Sequence, residues 1–197
     1  MIQRMSNRFA AAVARFDDAN RADPNRTTVD GVEYPDELLY AMRMTEQLDR
    51  LYPDASEVLK LAARCQHIRR WTIPRGSYPM DRAGYHRWRT ALAQFHATEA
   101  ATILRDVGYD DAIIARVQSL VRKENLKSDP ETQALEDVIC LVFLQYEFSG
   151  FAAKHEDEKV IHILKRTWKK MSAVGQSAAL RLVVTDHDRR LIQAALA

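Results

Sequence analysis

Apolar residues recur along this chain at intervals of three and four, the spacing that lines one face of an α-helix, and the alternating runs that mark strands are nearly absent. A first helix is expected from the stripe Met5, Phe9, Ala12, Val13 and Phe16, with the stretch from Asp23-Pro24 to Asp30-Gly31 breaking it. Pro35 suits the first turn of a second helix, because its missing N–H costs nothing there, and the stripe Ala41, Met44, Leu48 and Leu51 carries that helix to about Tyr52. Asp54 with Glu57 resembles a capping box opening a third helix through Val58, Leu61, Ala62, Cys65 and Ile68, which Pro74 ends. A long helix from about Arg82 to Val107 follows from Trp88, Leu92, Phe95, Ala100 and Ile103, and Gly108 stops it. Beyond a shorter helix through Ile113, Ile114, Val117, Leu120 and Val121, the polar link Glu124 to Asp129 leads to Pro130 at a second first-turn position. The helix beginning there is the most apolar. Val160, Ile163, Leu164, Trp168 and Met171 mark another helix, and Thr185 with Asp188 caps a last one. Roughly seven or eight helices result.

Composition narrows the class. With 197 residues, 47% of them hydrophobic and 28% charged, the chain is large enough to bury a full core. An all-α bundle in one domain over residues 1–197 is expected, with an N-terminal helix and loop (1–34), a core (35–148) and C-terminal helices (149–197). The net charge of +2, from 29 basic and 27 acidic residues, gives no global field to steer the protein onto nucleic acid or anionic lipid. Met1 to Phe9 hold no apolar signal region, and the longest apolar run, Val138 to Leu144, is too short to span a bilayer, so a cytoplasmic protein is expected. Cys65 and Cys140 sit within apolar helical patterns, where a thiol packs as a small hydrophobe; neither a disulfide nor a thiolate zinc site is expected.

The informative residues are ionisable groups on faces that should be buried, because a buried charge requires a partner or a metal. Glu37 is in line with Ala41, Met44, Leu48 and Leu51, although a first-turn carboxylate also favours the helix dipole. His96 and Glu99, three residues apart, share a stripe with Leu92, Ala100 and Ile103; such a pair either holds a cation or forms an ordinary core hydrogen bond. Asp137 stands among Ala134, Leu141, Leu144 and Phe148 with no compensating charge on that face. His67 lies near a helix end within Gln66-His67-Ile68-Arg69-Arg70-Trp71.

In order and spacing these residues resemble the HD superfamily of metal-dependent phosphohydrolases, whose pattern is a first His, an adjacent His-Asp pair ending a helix, and an Asp on a later helix. Glu37-Leu38-Leu39-Tyr40-Ala41 falls where that family opens with its first His. Ala62-Ala63-Arg64-Cys65-Gln66-His67-Ile68 falls on the family's Ala-Ala-Leu-Leu-His-Asp-Ile, so Glu37 and Gln66 replace histidines and His67 replaces the Asp. Phe95 to Ala101 through Gly108 and Val117 resembles the family's next His-containing helix, and Asp137 matches its closing Asp, the likeness covering residues 35–148. Gln66 to Trp71, Tyr85 to Leu92 and Lys165 to Ser172 also resemble an uncharacterised family known only as a domain of unknown function.

The HD resemblance implies a divalent metal ion (iron, manganese, zinc or magnesium) held by Glu37, His67, His96 and Asp137, and hydrolysis of a nucleotide or another small phosphate ester. Glu99 is then a candidate general base, Lys123 stands near the position of another family His, and Gln66, Arg69 and Arg70 are candidates to bind the substrate. A catalytically degenerate domain that keeps the pocket to bind a ligand or partner is the alternative. Lys165-Arg166-Thr167-Trp168-Lys169-Lys170 permits a nucleic-acid patch, although Trp168 belongs to a core stripe. A ferritin-like di-iron centre needs the His and carboxylate motif on two helices, and the chain carries one copy. Substrate, metal and oligomeric state are not encoded legibly.

Overall fold

A computed structural model describes residues 2–182 and 185–196, with the side chains of residues 2–6 left out, so the Met5 position of the first stripe lies outside the described side chains. The chain divides into two compact units, Met1–Glu46 with Asp54–Glu124, and Gln47–Pro53 with Asn125–Ala197. Among the described residues the chain is helical apart from one hairpin.

The first unit begins with α1 (Ile2–Arg21), which buries Ala12 and Phe16. The hairpin β1 (Arg26–Val29) and β2 (Val32–Pro35) was not expected. Its strands pair antiparallel in the register Thr27↔Tyr34 and Thr28↔Glu33, and both turn residues, Asp30 at φ 50° and Gly31 at φ 79°, adopt the left-handed backbone that a tight two-residue hairpin requires. Pro35 consequently ends a strand, and α2 (Asp36–Leu51) begins one residue later. The last turn of α2 is grouped with the second unit.

Ser56, rather than Asp54, caps α3 (Glu57–Arg64), its hydroxyl accepting from Leu59 N at 3.1 Å. That helix ends at Arg64, and residues 65–69 continue as turns to Arg69, which is left-handed at φ 51°. The loop through Pro74 and Pro79 leads to α4 (Arg82–Asp106), whose cap Asp81 accepts from Gly84 N at 2.6 Å. Trp88, Leu92, His96, Ala97, Ala100 and Leu104 form its buried face. Gly108, at φ 85°, stops it as expected, and α5 (Asp111–Val121) packs back against α3 and α4 through Ile114, Val117 and Leu120.

In the second unit Asp129 caps α6 (Pro130–Val142) with Pro130 in the first turn. A π-helical turn over Phe143–Glu147 then joins it to α7 (Phe148–Ala152). Next come α8 (Asp157–Lys170), α9 (Ala173–Ala179) and α10 (Asp186–Leu196). The Thr185 cap of α10 is formed, Thr185 Oγ1 accepting from Asp188 N at 3.1 Å. The core of this unit gathers Leu141, Leu144, Phe148, Val160, Leu164, Met171 and Leu191, with Trp168 half-buried against it. Cys65 and Cys140 are both buried, and burial pushes the Cys65 thiol up to about 12. Among the described residues no helix is long and apolar enough to cross a membrane.

Candidate functional site

In the first unit the turn after α3, the first half of α4 and the residues that follow α5 enclose a cavity of about 400 Å³. Gln66, His67 and Arg70 come from the turn; His86, Arg89 and His96 from α4; and Arg122, Lys123 and Glu124 from the end of α5. Five of the nine residues singled out in the sequence therefore share one cavity: Gln66, His67, Arg70, His96 and Lys123.

Local hydrogen bonding fixes this arrangement. Buried Asn20 on α1 accepts from Arg69 N at 2.9 Å and donates to Glu37 O at 3.3 Å. Buried Asp23 accepts from Glu37 N at 3.0 Å, so α1 and its exit hold both the start of α2 and the turn after α3. Glu37 approaches His67 Nδ1 at 3.4 Å and Arg70 Nε at 3.5 Å. Arg70 is further confined by the Trp88 ring, with its guanidinium carbon 4.7 Å from the ring centroid. His67 stacks on Tyr40, with centroids 3.9 Å apart and planes inclined by 11°. The His96 ring bonds through Nδ1 to the Ile68 carbonyl at 2.8 Å.

Four cationic side chains line the cavity, against the single exposed carboxylate of Glu124. Glu124 is bound to Arg122 at 2.7 Å, which holds its carboxyl below the usual range. Arg89 has no carboxylate within ion-pair distance among the described residues, and it is half-buried. The histidines register this positive surrounding. Burial first, then the charge of Arg70, the other histidine, Arg89 and Lys123, push His67 well below its ordinary value. Burial, with Arg70 and Arg89, brings His96 down to about 4 against the opposing Ile68 hydrogen bond. Both rings are neutral near neutral pH, so His67 meets Glu37 as a neutral ring rather than as a full ion pair.

Glu37, Arg69 and Glu99 lie near this cavity without lining it; Arg69 pairs with Glu99 at 3.0 Å, so this carboxylate is engaged by a guanidinium. Asp137 belongs to the second unit. Its buried carboxylate accepts from Tyr52 Oη at 2.7 Å, Gln133 Nε2 at 3.0 Å, Ser172 N at 2.7 Å and the Ser172 hydroxyl, so neutral donors satisfy it. Among the described residues there is no group of three or more His, Cys, Asp or Glu side chains that could hold a metal ion. In the first unit Glu37, His67 and His96 approach one another without making up such a group, Glu37 being shared between His67 and Arg70. In the basic segment of α8, Lys165, Arg166 and Lys169 are exposed, whereas Lys170 reaches the buried Glu136 at 3.5 Å.

Sequence reasoning missed Arg89, His86 and Arg122 as cavity residues. His86 and Arg89 sit on α4 and Arg122 caps the end of α5, positions where a cation ordinarily means a solvated face, and only the spacing Arg89, Leu92, His96 places Arg89 beside the predicted stripe. Asn20 and Asp23 were legible only as a helix terminus.

No curated protein and no solved structure matches the chain. A family model does: it matches residues 10–192, spanning both units, and the chain therefore belongs to the family described as Domain of unknown function (DUF4202).

Proposed function

We propose that the cavity of the first unit binds a small phosphorylated molecule, as a ligand-binding site whose phosphate is held by Arg89 together with Arg70 and Lys123. The observation that carries this reading is the convergence of four cationic side chains on one cavity with a lone exposed carboxylate. Guanidinium groups match phosphate geometry with paired N–H donors, and Arg70 is already oriented by Glu37 and Trp88, which lowers the entropy lost when a ligand engages it. The cavity also has the size of small-molecule sites, which span roughly 300 to 1,000 Å³.

Metal-dependent hydrolysis of the HD type is a second reading, favoured by one feature. His96 gives Nδ1 to a backbone carbonyl and leaves Nε2 without a partner, the arrangement in which an imidazole accepts a proton or acts as a ligand. Titration calorimetry at fixed ionic strength separates the two. Inorganic phosphate should bind, and Arg89→Ala should weaken that binding by about tenfold. Absence of binding, or equal affinity in Arg89→Ala, overturns the binding reading. Continuing heat release on adding a phosphate ester with Mn²⁺ supports hydrolysis; a signal that ends at saturation for each divalent ion tried removes it.

A further inference from the structure

We infer that the molecule taken by this cavity is a phosphate ester whose carbon skeleton carries hydroxyl groups, rather than a bare anion or an alkyl phosphate. The inference rests on the phosphate reading above and concerns what the phosphate is attached to. Three solvent-shielded polar atoms without a hydrogen-bond partner belong to residues that line the cavity: Gln66 Oε1, Arg70 Nη1 and His96 Nε2. Gln66 and His96 are 4% and 2% exposed, so bulk solvent barely reaches them. A buried polar group left unpaired is costly, so the conjunction of three at one cavity points to a complementary partner.

Their polarity says what that partner offers. Arg70 Nη1 donates, and a phosphate oxygen satisfies it. Gln66 Oε1 accepts. The Ile68 carbonyl has no proton to give, so His96 Nδ1 carries the ring proton and Nε2 of the neutral ring also accepts. An ionised phosphate is almost wholly an acceptor and leaves both atoms unpaired, and an alkyl chain does the same. Hydroxyl groups beside the phosphate donate to them and accept from the remaining guanidinium N–H groups. The backbone on two sides of the cavity is held in a strained conformation, with non-glycine φ values of 51° at Arg69 and 57° at Lys123, as is common where a chain is shaped around a ligand.

Calorimetric titration of the full chain with inorganic phosphate, n-butyl phosphate and ribose 5-phosphate tests this. Ribose 5-phosphate should bind about tenfold more tightly than n-butyl phosphate, and in Gln66→Met that ratio should fall toward one. Should Gln66→Met fail to fold by circular dichroism, His96→Asn is read in the same way. Equal affinities for the two esters, or a ratio preserved in the folded variant, overturn the inference while leaving the phosphate reading intact. Binding of none of the three overturns both.

Discussion

His96 shows how a single side chain reports the field around it. Its ring is 2% exposed, and burial with the nearby Arg70 and Arg89 brings it down to about 4, while His67 is lowered in the same direction. In the unfolded chain both rings take up a proton near pH 6.5, so as pH falls below that value the unfolded state gains protons that the native state refuses. Stability is thus fully present above about pH 6.5 and declines as the pH drops towards the native value, His96 alone accounting for about 3 kcal/mol over that window. Urea unfolding at about pH 7 and about pH 5 should show this loss, and His96→Gln should flatten it; a slope unchanged in His96→Gln would mean that the ring is protonated in the native protein. The sequence exposed His96 because it interrupts an apolar stripe. It did not expose Asn20, whose bonds to Arg69 and Glu37 position the cavity wall, since an Asn one residue before a helix end reads as a terminus and its partners are remote in sequence.

At the level of elements, the periodic stripes located most of the helices because each of those buries one continuous face: α4 is legible from Trp88, Leu92 and Ala100, all of which are buried, whereas α9 buries only Gly175 and Ala179 and carried no stripe. The hairpin escaped because its strands are four residues long with no buried residue, so no apolar alternation marks them, and Asp30-Gly31 alone carried the signal. The capping hydroxyl of Ser56 was hidden by the acidic pair Asp54 and Glu57, which imitates a box just ahead of the true cap. In the second unit α9 approaches α6 so closely that a Cβ on Gly175 would stand 2.6 Å from Asp137 Cγ. Gly175→Ala should therefore displace a carboxylate that four donors hold, costing roughly 2 to 3 kcal/mol in chemical unfolding. Gly150→Ala, on α7 with nothing within 4 Å, should leave stability level or raise it slightly. Equal effects of the two substitutions would show that α9 does not seat against Asp137 as described.

For the whole molecule, the chain carries almost no net charge, +2, and yet concentrates four cations around one cavity of its first unit. Composition averages over that asymmetry, so sequence reasoning offered Arg70 and Lys123 as candidates without showing that Arg89 and Arg122 join them. The HD-like spacing grouped Asp137 with Glu37, His67 and His96 through helix order alone; order along a chain does not determine which polar groups a carboxylate will find, and Tyr52, Gln133 and Ser172 supply the donors for Asp137. Hydrogen exchange of the intact chain with and without saturating ribose 5-phosphate tests most directly whether the first unit is a phosphate-ester receptor. Protection should appear at residues 66–70, 86–96 and 121–124 and leave α8 unchanged. Exchange that is the same with and without the ester, or protection centred on α8, would contradict the account.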